Sequence, residues 1–527
     1  MNWRYLASAV TAFAECFLLA GLIFGWTSIS FTLHSLNYFC FPPPNSSSVS
    51  LTSSISISQS TITSSPSQSS SSSTYFQTTS PFLSRAYFSR SPFTSPAPSA
   101  CPDQDQSLSL AFSIATFTMA FSSLPLGWFF DTYGTWAAQA VTLVLYCGGA
   151  VFIACSSPGV SELVYPGTIG IAVGGAMMLM TNLQVGNLFP RYQATFITAC
   201  NGAFDSSPSI AILIKFLWQA GIPLQYCFAA ISLAFPLLII RCLVLLPRYH
   251  IPLPAPPGYR YGLSLSFFKR RESPGEPEGK EQAEFETQQV PSPSGSGDAS
   301  LWASIFSRLY LSHFVWLSLL QFRHFLYIST LHPWLSTLSA GDVDMISWYT
   351  TLFAITQSCA WLCAPWNGCL IDVCRQRLLK GRKDVRFAGL GSTIPSLGLT
   401  SLLGIAFAGV AAIPKLQAQG LAFCLQVMSM TFIYGGNAAF IAIVFPSAHF
   451  AKLIGLMMSA SAIPLLLQLP LVSFSKEHPH MVNLITFVLC WFSLIHPMVV
   501  YRHYRKLSSS QANNADEAMP EHNPPDV

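Results

Sequence analysis

Residues 181–189 read Thr181-Asn182-Leu183-Gln184-Val185-Gly186-Asn187-Leu188-Phe189, and residues 201–207 read Asn201-Gly202-Ala203-Phe204-Asp205-Ser206-Ser207. Both segments are apolar enough to lie in lipid, yet together they carry three Asn, one Gln, one Asp and two Ser. Only Phe189-Pro190-Arg191-Tyr192-Gln193 breaks the stretch from 181 to 207, a kink with one positive charge. In hydrocarbon an unpaired polar group is costly, so amides and carboxylates there face a bundle interior or a wet cavity. Two membrane helices joined by a short turn, each polar on one side, predict the wall of a transport pathway. The plainer alternative is that the Asn and Ser side chains tie helices together.

The rest of the chain agrees with a membrane setting. Of 527 residues 51% are hydrophobic and 9% charged, against roughly 25% charged in soluble domains. A spanning helix needs about 20 mostly apolar residues, and windows of that length fall in two sets of six. The first set is 5–33, 107–130, 136–155, 163–189, 194–218 and 225–246. The second is 306–331, 346–371, 387–413, 420–446, 453–474 and 482–502. The first window is too long for a cleaved signal peptide, contains Glu15, and has no small-residue cleavage site after it.

The expected fold is therefore an all-α membrane protein with twelve spans. It divides into a six-helix half (1–246), a linker (247–305), a second half (306–502) and a disordered tail (503–527). With both termini inside, the cytoplasmic segments hold 19 of the 26 Lys and Arg and the outer loops hold four, an asymmetry that sets the orientation. The outer loop 34–106 is Ser-rich, with 23 Ser between 46 and 100, and should be disordered. It carries a glycosylation sequon at Asn45, and Cys40 and Cys101 flank it on the oxidising side, so a disulfide between them is expected. The linker, Pro-rich and then charged, reads as solvated.

The two halves echo each other. Gly127-x-x-x-Asp131 and Gly368-x-x-x-Asp372 lie at the cytoplasmic ends of the second and eighth spans, 241 positions apart. The fourth and tenth spans end Phe189-Pro190 and Phe445-Pro446, with Asn182 and Asn437 shortly before. Two related halves around a central site are the architecture of alternating-access carriers.

Gly127-x-x-x-Asp131-x-x-Gly134 resembles the loop signature of the major facilitator superfamily, although Thr132, Thr135 and Trp136 stand where that signature is basic. Longer strings are similar to solute carrier family 43. They are Glu15-Cys16 with Gly25-Trp26, 181–189, 201–207, Leu362 to Gly368, and Tyr434-Gly435-Gly436-Asn437-Ala438-Ala439-Phe440. Pro247 to Pro252 before Gly258 to Leu263 resembles the nucleobase branch of that family. The resemblance implies sodium-independent facilitated passage of adenine, guanine and hypoxanthine across the plasma membrane. It also implies Gly127 and Asp131 as a conformational latch. Other branches carry large neutral amino acids, which leaves that substrate class as the alternative; a transport-dead receptor or scaffold is the other.

A flat, neutral base needs aromatic faces and amides. The spans offer Asn182, Gln184, Asn187, Asn201, Gln321, Gln357, Tyr434 and Asn437 with Phe204, Phe325, Trp361 and Phe440, and Asp205 and His324 as further cavity groups. No strong Gly-interrupted helix is evident at matching positions of both halves, which tilts the reading toward an uncharged substrate. Glu15, Asp205 and Arg323 lie deep in the spans, where Arg323 should pair with Glu15 or Asp205. Lys215 and Arg241 are close enough to span ends to snorkel. Asp372, near basic residues and with Gly368 four positions before it, is the better candidate for a salt bridge that breaks as the carrier switches. No nucleophile–base pair, metal cluster or ATP-binding glycine loop is evident, so no enzyme activity, cofactor or nucleic-acid partner is expected. The expected partners are a small-molecule substrate and the lipid bilayer around a monomer.

Overall fold

The computed structural model describes residues 3–40, 102–251, 261–262, 296–381 and 385–517. Twelve helical segments, labelled α1 to α12, account for almost all of them. The first half holds α1 (Trp3–Ser35), α2 (102–133), α3 (135–154), α4 (Ser161–Leu188), α5 (193–219) and α6 (Leu224–Leu245). The second holds α7 (Arg308–Leu338), α8 (343–381), α9 (Val385–Ala411), α10 (Leu416–Val444), α11 (450–477) and α12 (479–517). Eight described segments are apolar and long enough to cross a membrane outright, one of them covering both α2 and α3. The spans outside that set, α5, α7 and α8, carry Asp205 and Lys215, Arg308 and Arg323, and a polar end from Asp372 to Lys380.

Local chemistry explains where the helices turn and break. α2 and α3 join without a loop because Gly134 takes φ +82°, a conformation open to glycine. α7 starts at Ser307, whose hydroxyl accepts from the Tyr310 N–H, and α8 at Asp342, which accepts from Asp344 and Met345. In α1 a π-turn over Cys16–Ala20 gives way to a 3₁₀ turn over Leu22–Gly25. α5 is two helices, Gln193–Ser206 and Pro208–Gln219, because Pro208 cannot donate into the preceding turn. Its counterpart α11 breaks likewise between Phe450–Leu465 and Gln468–Glu477, just past Pro464. Matching interruptions therefore do exist in the two halves, marked by proline rather than glycine, and the inference toward an uncharged substrate from their absence falls.

The segment read as a disordered tail is also helical as far as Glu517; no Pro or Gly interrupts it after Pro497. A short helix, Ser296–Ile305, closes the linker. Asn45 and Cys101 lie outside the described residues, as do 46–100 and most of the linker. Cys40 is disulfide-bonded.

Within the first half α3 and α4 pack through glycines: a Cβ on Gly170 would fall 2.6 Å from the Leu145 carbonyl oxygen, and one on Gly174 2.8 Å from the Tyr146 nitrogen. Apolar residues such as Val144, Leu237 and Ile240 are exposed on the bundle surface, as lipid-facing residues must be. The start of α1, the α2–α3 turn and the described residues after α6 share one end of the bundle, called here the terminal face: Arg4 donates to the Tyr261 carbonyl, Thr135 to that of Tyr249 and the Trp136 N–H to that of Arg248. Near it the halves meet along two pseudo-symmetric seams. α2 packs on α11, where a Cβ on Gly127 would sit 2.2 Å from the Ala451 oxygen. α5 packs on α8, where a Cβ on Gly368 would sit 2.4 Å from the Ala194 oxygen.

Candidate functional site

Each seam ends in a capped helix. Asp131 accepts from the backbone N–H groups of Ala451 (3.4 Å) and Lys452 (2.7 Å), in the first turn of α11. Asp372 accepts from the N–H groups of Ala194 (3.2 Å) and Thr195 (2.8 Å) and from the Thr195 hydroxyl (2.7 Å), in the first turn of α5. A carboxylate suits both places, since helix N-termini carry unsatisfied N–H donors and partial positive charge. In place of the salt bridge expected of Asp372, helix N–H groups hold its carboxylate, and the nearby Arg375 donates to Gln193 Oε1 at 3.2 Å.

Deeper in the first half, Glu15 pairs with Arg241 at 2.5 Å rather than with Arg323. Arg241 also donates to the Asn182 oxygen (2.7 Å) and to Thr11 (2.9 Å), and Asn182 donates to Glu15 at 3.0 Å. Arg241 is therefore buried and committed, not snorkelling. Its charge faces inward because α6 brings it opposite the one carboxylate of α1, and pairing removes the cost of two lone charges in hydrocarbon. Both polar ends of the Asn182 amide are used inside this network.

Several other candidate amides are also engaged in holding the structure. Gln184 donates to Thr135 (2.8 Å), while Asn187 donates to the Ile251 carbonyl (3.0 Å) and accepts from Gln193 (2.9 Å). These two line a cavity of about 210 Å³ between the halves, near the terminal face, with Asp131, His250 and Phe450. Asn201 donates back to Ile197 in its own helix. His324 meets Gln426, which in turn meets Gln357. Arg323 lies against the rings of Tyr327 (5.6 Å) and Phe407 (5.3 Å), inside the second half, with Nε and Nη2 unpartnered.

Other candidate residues, at mid-depth in the spans, keep polar atoms without a partner. Asp205 Oδ2 is buried without a partner at the end of the first piece of α5. Tyr434 of α10 stands within electrostatic reach of it. Ser206 Oγ accepts from the Trp361 N–H (2.8 Å), bringing α8 alongside, and Phe17 of α1 meets Trp361 edge-on at 6.4 Å. Trp361 keeps 40% of its surface exposed. Phe204 turns to Phe24 (5.6 Å). On the second half Asn437 Nδ2 and Gln321 Oε1 are buried and unpartnered. Asp205 and Tyr434 thus bring a lone carboxylate near a phenol, and Trp361 lies along the same stretch of α5 through Ser206.

The sequence reasoning missed His313 and His496, buried next to Asn437 and joined to it by hydrogen bonds. It also missed Ser459, whose hydroxyl accepts from Leu124 N across the α2–α11 seam. Two histidines in otherwise apolar spans, His313 and His496, were the available signal.

The chain is 36% identical over 525 residues to "Equilibrative nucleobase transporter 1" of Bos taurus, covering 96% of this chain and 97% of that protein. It is 22% identical over 482 residues to "Large neutral amino acids transporter small subunit 3" of Mus musculus, covering 79% of this chain and 86% of that protein. The human protein of that name is 23% identical over 476 residues, covering 79% and 85%. Among solved structures, the proton:xylose symporter XylE of the major facilitator superfamily superposes with a TM-score of 0.55 at 12% identity, covering 95% of this chain and 96% of that one. That likeness is one of fold. No family model matches the chain.

Proposed function

The chain belongs to solute carrier family 43 of the major facilitator superfamily, and from that premise we propose that it is a facilitator of purine nucleobases. That it is a multi-pass membrane transporter rather than an enzyme follows from the family. The nucleobase reading is carried by one observation: the nucleobase-transporting relative is 36% identical along almost the whole chain, and the amino-acid-transporting relatives 22% and 23% over four-fifths of it.

The mid-depth site supports the reading. Asp205 and Tyr434 offer acceptors and a donor to the edge of a base, Trp361 offers a face, and the amides of Asn437 and Gln321 supply further edge contacts. The terminal face is taken as cytoplasmic from the Lys and Arg asymmetry, and the plasma membrane as the site of action. The helix caps at Asp131 and Asp372 then serve as the two latches of the cytoplasmic gate, closed in this conformation. Transport consists of releasing both while the halves rock around Asp205 and Tyr434 in a single chain. Asn182, with Glu15 and Arg241, braces the first half rather than touching the solute.

A second reading has its own support. Arg323 keeps two guanidinium nitrogens unpartnered, and a substrate carboxylate would satisfy them, as an amino acid requires. Purified protein in liposomes decides whether the nucleobase is simply equilibrated. Labelled adenine should reach the same internal concentration with and without a sodium or proton gradient. Accumulation that requires either gradient would overturn the facilitator reading.

A further inference from the structure

Four polar groups from three helices, ending at Asn437, form an unbroken chain in the second half. Ser312 Oγ lies 2.9 Å from His496 Nδ1, His496 Nε2 3.0 Å from His313 Nδ1, and His313 Nε2 3.0 Å from Asn437 Oδ1. His313, His496 and Asn437 are all buried. The rings are fixed by packing: His313 stacks on Trp316 (5.0 Å) and Phe440 (4.3 Å), and Phe440 meets His496 edge-on at 5.2 Å. At the far end the chain has one unspent group, Asn437 Nδ2, buried and unpartnered.

No carboxylate is among the partners of either ring, so both are neutral, and a neutral imidazole has one donor and one acceptor nitrogen. That constraint leaves two arrangements of the whole chain. In the first, Ser312 donates to His496, His496 to His313, and His313 to the Asn437 oxygen, leaving the amino group of Asn437 free. In the second, the amide is turned over, and amide oxygen and nitrogen occupy the same space. Asn437 then donates to His313, His313 to His496 and His496 to Ser312, leaving the Asn437 oxygen free. Ser312 accommodates both, since its proton can turn to the Leu309 carbonyl 3.2 Å away. The two arrangements contain the same protons and carry the same net charge, so a bound solute can select either.

We propose that Asn437 reads the purine 6-position and that His313 and His496 are the positioning residues that let it present either polarity. At that position adenine carries an amino donor, whereas guanine and hypoxanthine carry an oxygen acceptor. A rigid amide would discriminate between them; an amide backed by an invertible relay accepts both. The inference rests on the nucleobase reading and deepens it to a specificity mechanism: one site for 6-amino- and 6-oxopurines.

Disabling the relay at different points should lock it in one direction. In His496→Phe the ring packing is kept and His313 Nδ1 loses its partner. A buried acceptor without a partner is better tolerated than a buried N–H donor, so His313 keeps its proton on Nε2 and fixes the free amino group of Asn437. The Ser312→Ala change at the far end favours the same direction, while Ser312→Thr retains the hydroxyl. Uptake of labelled adenine and labelled hypoxanthine, normalised to surface protein, should show a preference shifted toward hypoxanthine by about tenfold in His496→Phe. The shift should run the same way in Ser312→Ala and be absent in Ser312→Thr. A proportional fall in both substrates, an unchanged ratio or a shift toward adenine would overturn the relay. If His496→Phe does not reach the surface, the Ser312 pair decides by the same ratio. If the unmodified chain takes up neither base, the nucleobase reading fails first and the relay with it.

Discussion

The Asp131 carboxylate of the first half accepts from the Lys452 N–H of the second at 2.7 Å, so the superfamily-like loop signature closes on a helix end rather than on a basic side chain. Thr132, Thr135 and Trp136 replace the basic residues of that signature, and the helix N-terminus takes over their part. An Asn there offers one acceptor oxygen and no charge to the two N–H groups that Asp131 holds. An Ala448→Cys reporter in the neighbouring cavity should therefore react with a maleimide faster in Asp131→Asn than with Asp131 in place. An unchanged rate would remove Asp131 from the gate.

The glycines beside the two caps permit the closest approach of the halves. A methyl at Gly127 would lie 2.2 Å from a backbone oxygen of α11, and one at Gly368 2.3 Å from the Thr198 hydroxyl. Gly127→Ala and Gly368→Ala should therefore leave each half folded but prevent this closed contact. Uptake should fall about tenfold or more at normal surface expression, since the rocking cycle loses one of its end states. Near-normal uptake in both variants would show that the seam opens without needing contact this close.

Arg241 and Glu15 brace α1, α4 and α6. Arg241→Leu leaves Glu15 buried and unpaired, and should destabilise the detergent-solubilised protein by about 3–5 kcal/mol. The double change Glu15→Leu with Arg241→Leu should recover most of the lost thermal stability. A double variant as unstable as the single one would mean the pair does more than neutralise itself.

Asn182 and Asp205 should separate structure from recognition. Both Asn182 amide ends are spent on Arg241 and Glu15, whereas Asp205 Oδ2 is unpartnered. Asn182→Ala should lower thermal stability with little change in KM among the molecules that survive. Asp205→Asn should keep stability and raise KM for adenine about tenfold. The opposite pattern would move the site away from α5.

Much of this fold was legible because apolar spans are written in composition. The Gly127–Asp131 and Gly368–Asp372 echo was legible too, and in three dimensions both motifs seat on helix N-termini. What was hidden depends on which way a helix faces. Arg241 lies near enough to a span end to snorkel, and only the placement of α6 against α1 turns it onto Glu15. Arg323 pairs with neither expected carboxylate because its side of α7 faces Tyr327 and Phe407. The breaks in α5 and α11 were missed because Pro208 and Pro464 sit in sequence that is otherwise good helix. Of the candidate amides, Gln184 and Asn187 brace the terminal face, and Asn437 stands at mid-depth.

The central claim is the substrate, and the most direct measurement is uptake of labelled adenine and labelled leucine in sodium-free buffer by cells expressing the chain. Saturable adenine uptake with leucine at background is the predicted result. Saturable leucine uptake with adenine at background would contradict it and place the unpartnered Arg323 guanidinium, not Asn437, at the centre of recognition.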